Sequence, residues 1–180
     1  MRLSSQQLGV FEYWKNQAST IHNYWAIYGG FRALLKSPYL AIAILLTAGS
    51  FLFWAKDSKG DYLRAADLVV AAIPNLLGFT VGALAIVLAF SSAKIFKFLA
   101  EGGEPASYFM ALTSALVHFI LVQVLTLVCG ILAKITDSRV LDVLSLFLLF
   151  YAVLVTFSAA LQLFLTAQIY NAHGGADEGD

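Results

Sequence analysis

Charge is scarce in this chain. Of its 180 residues 12% are charged, and eleven basic and eleven acidic side chains give a formal net charge of zero. A nucleic-acid-binding protein carries a basic face, so we expect no direct contact with nucleic acid. Cysteine is scarcer still, because Cys129 is the only one. A lone cysteine forms no intrachain disulfide and does not indicate a redox compartment.

Side chains that carry catalysis or bind metals are also few. The three histidines, His22, His118 and His173, are scattered and do not form the His/Cys spacing of a zinc site. Ser50 lacks the second glycine of a nucleophile elbow. No segment has the pattern of a phosphate-binding loop. We therefore expect no metal, no cofactor and no enzyme activity.

Long apolar runs occupy most of the chain instead. Hydrophobic residues make up 60% of it, and a transmembrane helix needs about 20 mostly apolar residues. The first of four runs is at the short end of that range. The sequence predicts an all-α polytopic membrane protein with four transmembrane helices, in residues 38–55, 68–90, 108–133 and 140–170. We expect one transmembrane domain, 38–170, between a membrane-proximal segment, 1–37, and an acidic, disordered tail, 171–180.

Aromatic and apolar residues recur at helical spacing before the first run. Tryptophan and tyrosine favour the headgroup region, so we predict an amphipathic helix that lies on the membrane or packs under the bundle. A partner-binding helix is a competing and compatible interpretation. Residues 1–30 are too polar for a cleavable signal peptide, and we expect the first span to act as an uncleaved anchor. The residues on the apolar face are Phe11, Trp14, Ala18, Ile21, Trp25 and Tyr28.

The second run combines a proline with two glycines. Pro74, Gly78 and Gly82 are four residues apart and share one helix face. The proline predicts a kink, the glycines allow close approach of another helix, and Asn75 needs a partner across an interface. A kinked packing helix and a gating hinge both fit this pattern. A second small-residue face is predicted in the last run, at Ala152, Thr156, Ala159 and Ala160.

His118 is the only ionisable side chain near the middle of a span. Such a residue is a functional candidate, either as a proton relay or as a pH-sensitive gate. The alternative is a neutral histidine bonded to a neighbouring helix, with Ser114 one turn away and Asn75 able to face it. Gln123 is about 140° around the helix from His118, so we expect no continuous polar stripe.

The charges at the span ends bear on orientation. If both termini are cytoplasmic, six of the eleven basic residues lie inside and five outside, a bias too small to decide. The polar N-terminus favours cytoplasmic termini. Lys94, Lys97 and Glu101, in the loop after the second run, would then belong to a cytoplasmic partner surface. Asp67 and Asp142 lie near span ends, where we expect solvation to account for them.

Two stretches carry a resemblance to known proteins. Residues 28–39 (YGGFRALLKSPY) and 74–82 (PNLLGFTVG) resemble parts of small bacterial four-span membrane proteins found in anti-phage systems. In size and span number the chain is similar to the membrane subunit of Kiwa-type defence systems. The resemblance implies a homo-oligomeric membrane sensor that holds a soluble cytoplasmic effector. It carries over no individual residue roles.

Three functions follow from these patterns. The first is a non-enzymatic scaffold or sensor in the bacterial inner membrane, which associates with lipid, with itself and with a soluble cytoplasmic protein in antiviral defence. The second is an oligomeric pore or membrane-disrupting effector, with Pro74, Gly78 and Gly82 as hinge and His118 near the lumen. The third is a small proton-coupled transporter, which the missing intramembrane carboxylate disfavours.

Overall fold

The computed structural model describes residues 5–52, 64–89, 99–100, 103–104 and 107–174. The long segments of these ranges are helical and contain no strand, which confirms the all-α prediction for this part of the chain. We number the helices α1 (Ser5–Tyr28), α2 (Gly30–Lys36), α3 (Pro38–Leu52), α4 (Ala65–Ala89), α5 (Tyr108–Thr136) and α6 (Arg139–Gly174).

Some predictions fall outside the described ranges. Lys94, Lys97 and Glu101 lie there, as does the tail beyond residue 174, and the side chain of Phe11 is not described either. The tail was predicted to begin at residue 171, but α6 continues to Gly174. No proline or glycine interrupts the chain between 171 and 173, so nothing ends the helix sooner.

Within the described ranges, three helices are long and apolar enough to cross a membrane: α4, α5 and the portion Arg139–Ile169 of α6. Helices α2 and α3 meet at a 53° bend and count as a fourth span only when taken together. The protein is therefore a multi-pass membrane protein with three or four candidate spans. The predicted first run corresponds to α3, whose 15 described residues are short for a complete span.

Local chemistry explains where the helices begin and end. Gly29 and Gly30 have positive φ angles of 98° and 63°, which glycine adopts at little cost, and they separate α1 from α2. Pro38 begins α3, at the first helical position that proline favours. The Ser107 hydroxyl accepts a hydrogen bond from the Met110 amide at 3.4 Å and caps α5.

Helices α4, α5 and α6 form the central core. Val69 and Ile73 of α4, Leu116 of α5 and Ala152 of α6 are fully buried there. Helices α4 and α5 pack closely at Gly130, where an added Cβ atom would lie 2.5 Å from Val69 Cγ1. Around this core α3 packs against α6, and α1 packs against α5.

Polar contacts fix the start of α4 beside the α5–α6 turn. The Asp142 carboxylate accepts hydrogen bonds from the amides of Ala65 and Ala66, at 3.3 and 2.9 Å. An ion pair joins Arg64 to Asp137 at 2.6 Å. The prediction that solvation accounts for Asp142 is wrong, because its side chain is buried and satisfies the free amides of a helix N-terminus. Asp67 does lie at the surface, 2.8 Å from the Lys134 ammonium.

Candidate functional site

His118 of α5 lies between two tyrosine hydroxyls from other helices. Its Nδ1 is 2.9 Å from the Tyr24 hydroxyl of α1, and its Nε2 is 3.2 Å from the Tyr151 hydroxyl of α6. The ring of Tyr28 stacks on the imidazole, with centroids 4.0 Å apart and planes 17° apart. We call Tyr24, Tyr28, His118 and Tyr151 the tyrosine–histidine cluster.

The last two turns of α1 supply one side of this cluster. Tyr24 and Tyr28 are four residues apart, so both point from the same helix face toward α5. His118 lies ten residues after Tyr108, the first residue of α5, which is about 15 Å along the helix axis. The C-terminal end of α1 therefore contacts a spanning helix well inside its length. The interfacial location of the rest of α1 stays a prediction.

The cluster holds one more proton than its internal hydrogen bonds use. His118 is 5% exposed and has no carboxylate partner among the described residues, so it is neutral and carries one N–H. One tyrosine hydroxyl then donates to the ring and the other accepts from it. The Tyr28 hydroxyl, which interacts with Tyr151, adds a proton as well as an acceptor. For either tautomer, one phenolic proton remains available to another acceptor.

Burial keeps the tyrosine on α1 in its protonated form. Partial burial raises the pKa of Tyr24 to about 12, and the nearby Tyr28 adds to the shift. The hydroxyl of Tyr24 therefore remains a hydrogen-bond donor throughout the physiological pH range.

An apolar groove adjoins the cluster. Its volume is about 380 Å³, and it lies where α1, α2 and α3 approach α5 and α6. Tyr24 and Tyr151 form part of the wall, together with apolar side chains that include Trp25, Leu34, Leu40 and Leu125. The helix breaks at Gly29–Gly30 and Ser37–Pro38 flank Leu34, so the groove lies beside the interrupted part of the bundle.

A second buried polar group lies in the three-helix core. The Gln123 side chain is fully buried, and its Nε2 donates to the Thr80 hydroxyl at 2.9 Å and to the Thr156 hydroxyl at 2.8 Å. Both threonine hydroxyls donate to carbonyls of their own helices, at Leu76 and Ala152. The Gln123 Oε1 atom has no hydrogen-bond partner among the residues that the structure describes. Gln123 therefore joins α4, α5 and α6, separately from His118.

Two residues predicted to accompany His118 lie elsewhere. The Ser114 hydroxyl donates to the Ala111 carbonyl of its own helix at 2.9 Å. Asn75 is exposed, and its amide donates to the Ala71 carbonyl at 3.5 Å. The prediction that Asn75 faces His118 is wrong because α4 presents Val69, Ile73 and Thr80 to the core and turns Asn75 outward.

The small-residue faces divide between core and surface. On α4, Pro74, Gly78 and Gly82 are exposed, and an added Cβ at either glycine would meet nothing within 4 Å. They therefore provide no close helix contact among the described residues. The close contact between α4 and α5 lies at Gly130 of α5 instead. On α6, Ala152, Thr156 and Ala159 are buried, whereas Ala160 is exposed and does not belong to that packing face.

The predicted apolar face of α1 is also exposed in one part and partly buried in another. Trp14 and Ile21 are 65% and 60% exposed. Trp25 and Tyr28 are partly buried near α2 and α5. Only the last turns of α1 therefore pack against the described bundle.

Sequence reasoning missed Tyr24, Tyr151 and Thr80. Tyr24 belongs to an aromatic-rich stretch assigned to the membrane surface, and Tyr151 lies in an otherwise apolar run. A search for polar side chains inside the apolar runs would have found Tyr151 and Thr80. Nothing local indicates that Tyr24 reaches a residue 94 positions away.

Among the residues that the structure describes, no three His, Cys, Asp or Glu side chains are grouped as metal ligands would be. Comparisons with protein-family models, curated proteins and solved structures find no match to this chain.

Proposed function

We propose that this protein is a non-enzymatic, homo-oligomeric membrane scaffold or sensor that recruits a soluble cytoplasmic protein through α1. It crosses the bacterial inner membrane four times, with the bent pair α2–α3 as the first span and both termini in the cytoplasm. The resemblance to Kiwa-type membrane subunits supports a role in anti-phage defence. The observation that carries the recruiting role is the exposure of residues 12–23 of α1.

Helix α1 presents large side chains that the described part of the chain leaves uncovered. Tyr13, Trp14 and Ile21 are 57%, 65% and 60% exposed, and no described element packs on residues 12–23. The anchored end at Tyr24 and Tyr28 gives α1 a fixed attachment to the bundle. Exposed aromatic and aliphatic residues on a helix are typical of helix-in-groove recognition.

One form of the pore hypothesis has His118 near the lumen. The enclosure of His118 by tyrosines of its own chain supports a packing role for this residue instead. A pore between several chains stays an alternative prediction, and the exposed α4 face at Pro74, Gly78 and Gly82 is where the chains would meet. Conductance of the reconstituted oligomer tests that alternative.

The recruiting role is tested with the full chain, purified gently from a host that carries its neighbouring genes. Native mass spectrometry should show a homo-oligomer with a soluble protein bound at fixed stoichiometry. The double variant Trp14→Glu/Ile21→Glu should release that protein and leave the oligomer intact, because it places charges on the exposed apolar surface.

A matched control is the double variant Asn16→Glu/Ser19→Glu, which adds the same charges to exposed polar positions of α1. It should keep the partner bound. If both double variants retain the partner equally, α1 is not the docking surface. If the apolar variant keeps the partner and only makes α1 of the vesicle-reconstituted protein more accessible to protease, α1 is an interfacial helix and the recruiting role is rejected.

A further inference from the structure

We propose that the apolar groove beside the tyrosine–histidine cluster is a binding site for one acyl chain of a membrane phospholipid. This proposal is independent of partner recruitment by α1.

The residues around the groove opening indicate that the groove faces the hydrocarbon part of the membrane. Its wall includes Leu121 and Leu125 of α5, which are 47% and 52% exposed. These residues lie near the middle of a helix long and apolar enough to span the membrane. Exposed leucines at that depth face hydrocarbon chains rather than water. An acyl chain is therefore the molecule next to the groove opening.

The size and polarity of the groove fit a chain rather than a headgroup. A volume of about 380 Å³ is at the lower end of the range for small-molecule sites. Its wall contains no charged side chain, so a phosphate or an ammonium group would lose its hydration without compensation. Apolar side chains such as Leu34 and Leu40 offer dispersion contacts to methylene groups.

The tyrosines at the groove wall add apolar surface. Tyr24 and Tyr151 both line the groove, but their hydroxyl groups are bonded to His118 and the surface that the groove presents is almost wholly apolar. The wall therefore offers dispersion contacts rather than a hydrogen bond, which favours an acyl chain over a polar group.

The site also links lipid binding to the position of α1. Tyr24 and Trp25 are parts of α1 and of the groove wall at the same time. A lipid that needs both walls binds only when the end of α1 is docked on α5, and it therefore stabilises the docked position. By thermodynamic linkage, the factor by which bound lipid favours the docked position equals the factor by which docking of α1 strengthens lipid binding. A change that undocks α1 therefore weakens lipid binding.

The test uses the full-length protein in detergent and native mass spectrometry against added phospholipid of defined chain length. The wild-type chain should retain about one phospholipid per chain after the bulk lipid is removed. Leu125→Trp should lose it, because the larger side chain fills the groove opening. Leu132→Trp is the matched control, since Leu132 is 44% exposed on the same helix but lies outside the groove.

A second groove variant, Leu121→Trp, covers the case in which Leu125→Trp does not fold. Equal retention by both groove variants and by the Leu132→Trp control would overturn the site. Absence of retained phospholipid in the wild-type protein would do the same, as would retention of a different class of lipid.

Discussion

At the scale of single residues, the tightest constraint is at Gly130. An added Cβ atom would lie 2.5 Å from Val69 Cγ1 and 3.0 Å from Val69 Cβ. A rotamer change of Val69 relieves only the first contact, so the helices must move apart. We expect Gly130→Ala to lower the free energy of unfolding by about 1–3 kcal/mol, the usual cost of overpacking. Denaturant-induced unfolding in detergent micelles measures this.

The control for Gly130 is Gly49→Ala in α3. A Cβ atom at Gly49 meets nothing within 4 Å, and alanine is favoured over glycine in a helix by about 1 kcal/mol. This variant should be neutral or more stable. A loss of stability equal to that of Gly130→Ala would show that the close approach of α4 and α5 is not the cause.

At Gln123 we predict a small change in stability, unlike at Gly130, because the burial of Gln123 contributes little net free energy. Its two hydrogen bonds to threonines are offset by the unpartnered Oε1 atom. In membranes an interhelical hydrogen bond averages about 0.6 kcal/mol, and an unsatisfied buried acceptor costs about 1–3 kcal/mol. We expect Gln123→Leu, which keeps most of the volume, to change the unfolding free energy by less than about 1 kcal/mol.

Gln123→Ala separates packing from hydrogen bonding at this position. It removes the same polar group and also leaves a cavity, so it should cost about 2 kcal/mol or more. Similar large losses for Leu and Ala would mean that the hydrogen bonds to Thr80 and Thr156 dominate, contrary to the expectation.

At the scale of elements, the start of α4 depends on a carboxylate from another helix. The Asp142 side chain accepts hydrogen bonds from two amides at the α4 N-terminus. Asp142→Ala leaves both amides buried without a partner, and we expect a loss of about 2 kcal/mol, at the upper end for a lost helix cap. Hydrogen exchange at the first turn of α4 should also become faster.

Asp67→Ala is the comparison for Asp142. Asp67 lies in the first turn of α4, and its ion pair with Lys134 is more than half exposed. An exposed pair contributes about 0–1 kcal/mol, so this variant should be much milder. If Asp67→Ala lowered the free energy of unfolding as much as Asp142→Ala does, charge rather than capping would stabilise the start of α4.

The helices were largely predictable from sequence, and the contacts between them were not. Apolar runs located α4, α5 and α6 to within a few residues, because the bilayer sets both their composition and their length. Pro38, where the first predicted run begins, is the first residue of α3. These are local signals, which a single sequence carries.

The candidate site was only half predictable. His118 was recognisable, because an ionisable residue stands out in an apolar run. Its partners Tyr24 and Tyr151 are 94 and 33 positions away, and no local periodicity specifies such contacts. Asn75, Gly78 and Gly82 show the converse, because their polar or small side chains predict a helix interface, whereas all three are exposed in the described part of the chain.

At the scale of the whole molecule, the bent pair α2–α3 decides the topology. Helix α5 has 29 residues and is about 43 Å long, so its ends lie on opposite sides of the membrane. The Arg64–Asp137 ion pair places the start of α4 on the side of the α5–α6 turn. If α2–α3 crosses completely, the start of α1 lies on the other side, together with the end of α6. If it re-enters, the two termini are separated.

Three single-cysteine probes distinguish these arrangements. Cys129 is buried and is replaced by alanine, and cysteine is then introduced at the exposed positions Glu12, Thr136 or Asn171. With a membrane-impermeant maleimide on intact cells, we expect labelling at position 136 alone. Positions 12 and 171 should react only after permeabilisation. Labelling of 12 together with 136, and not of 171, would mean that α2–α3 re-enters on the outer side and that α1 cannot meet a cytoplasmic partner.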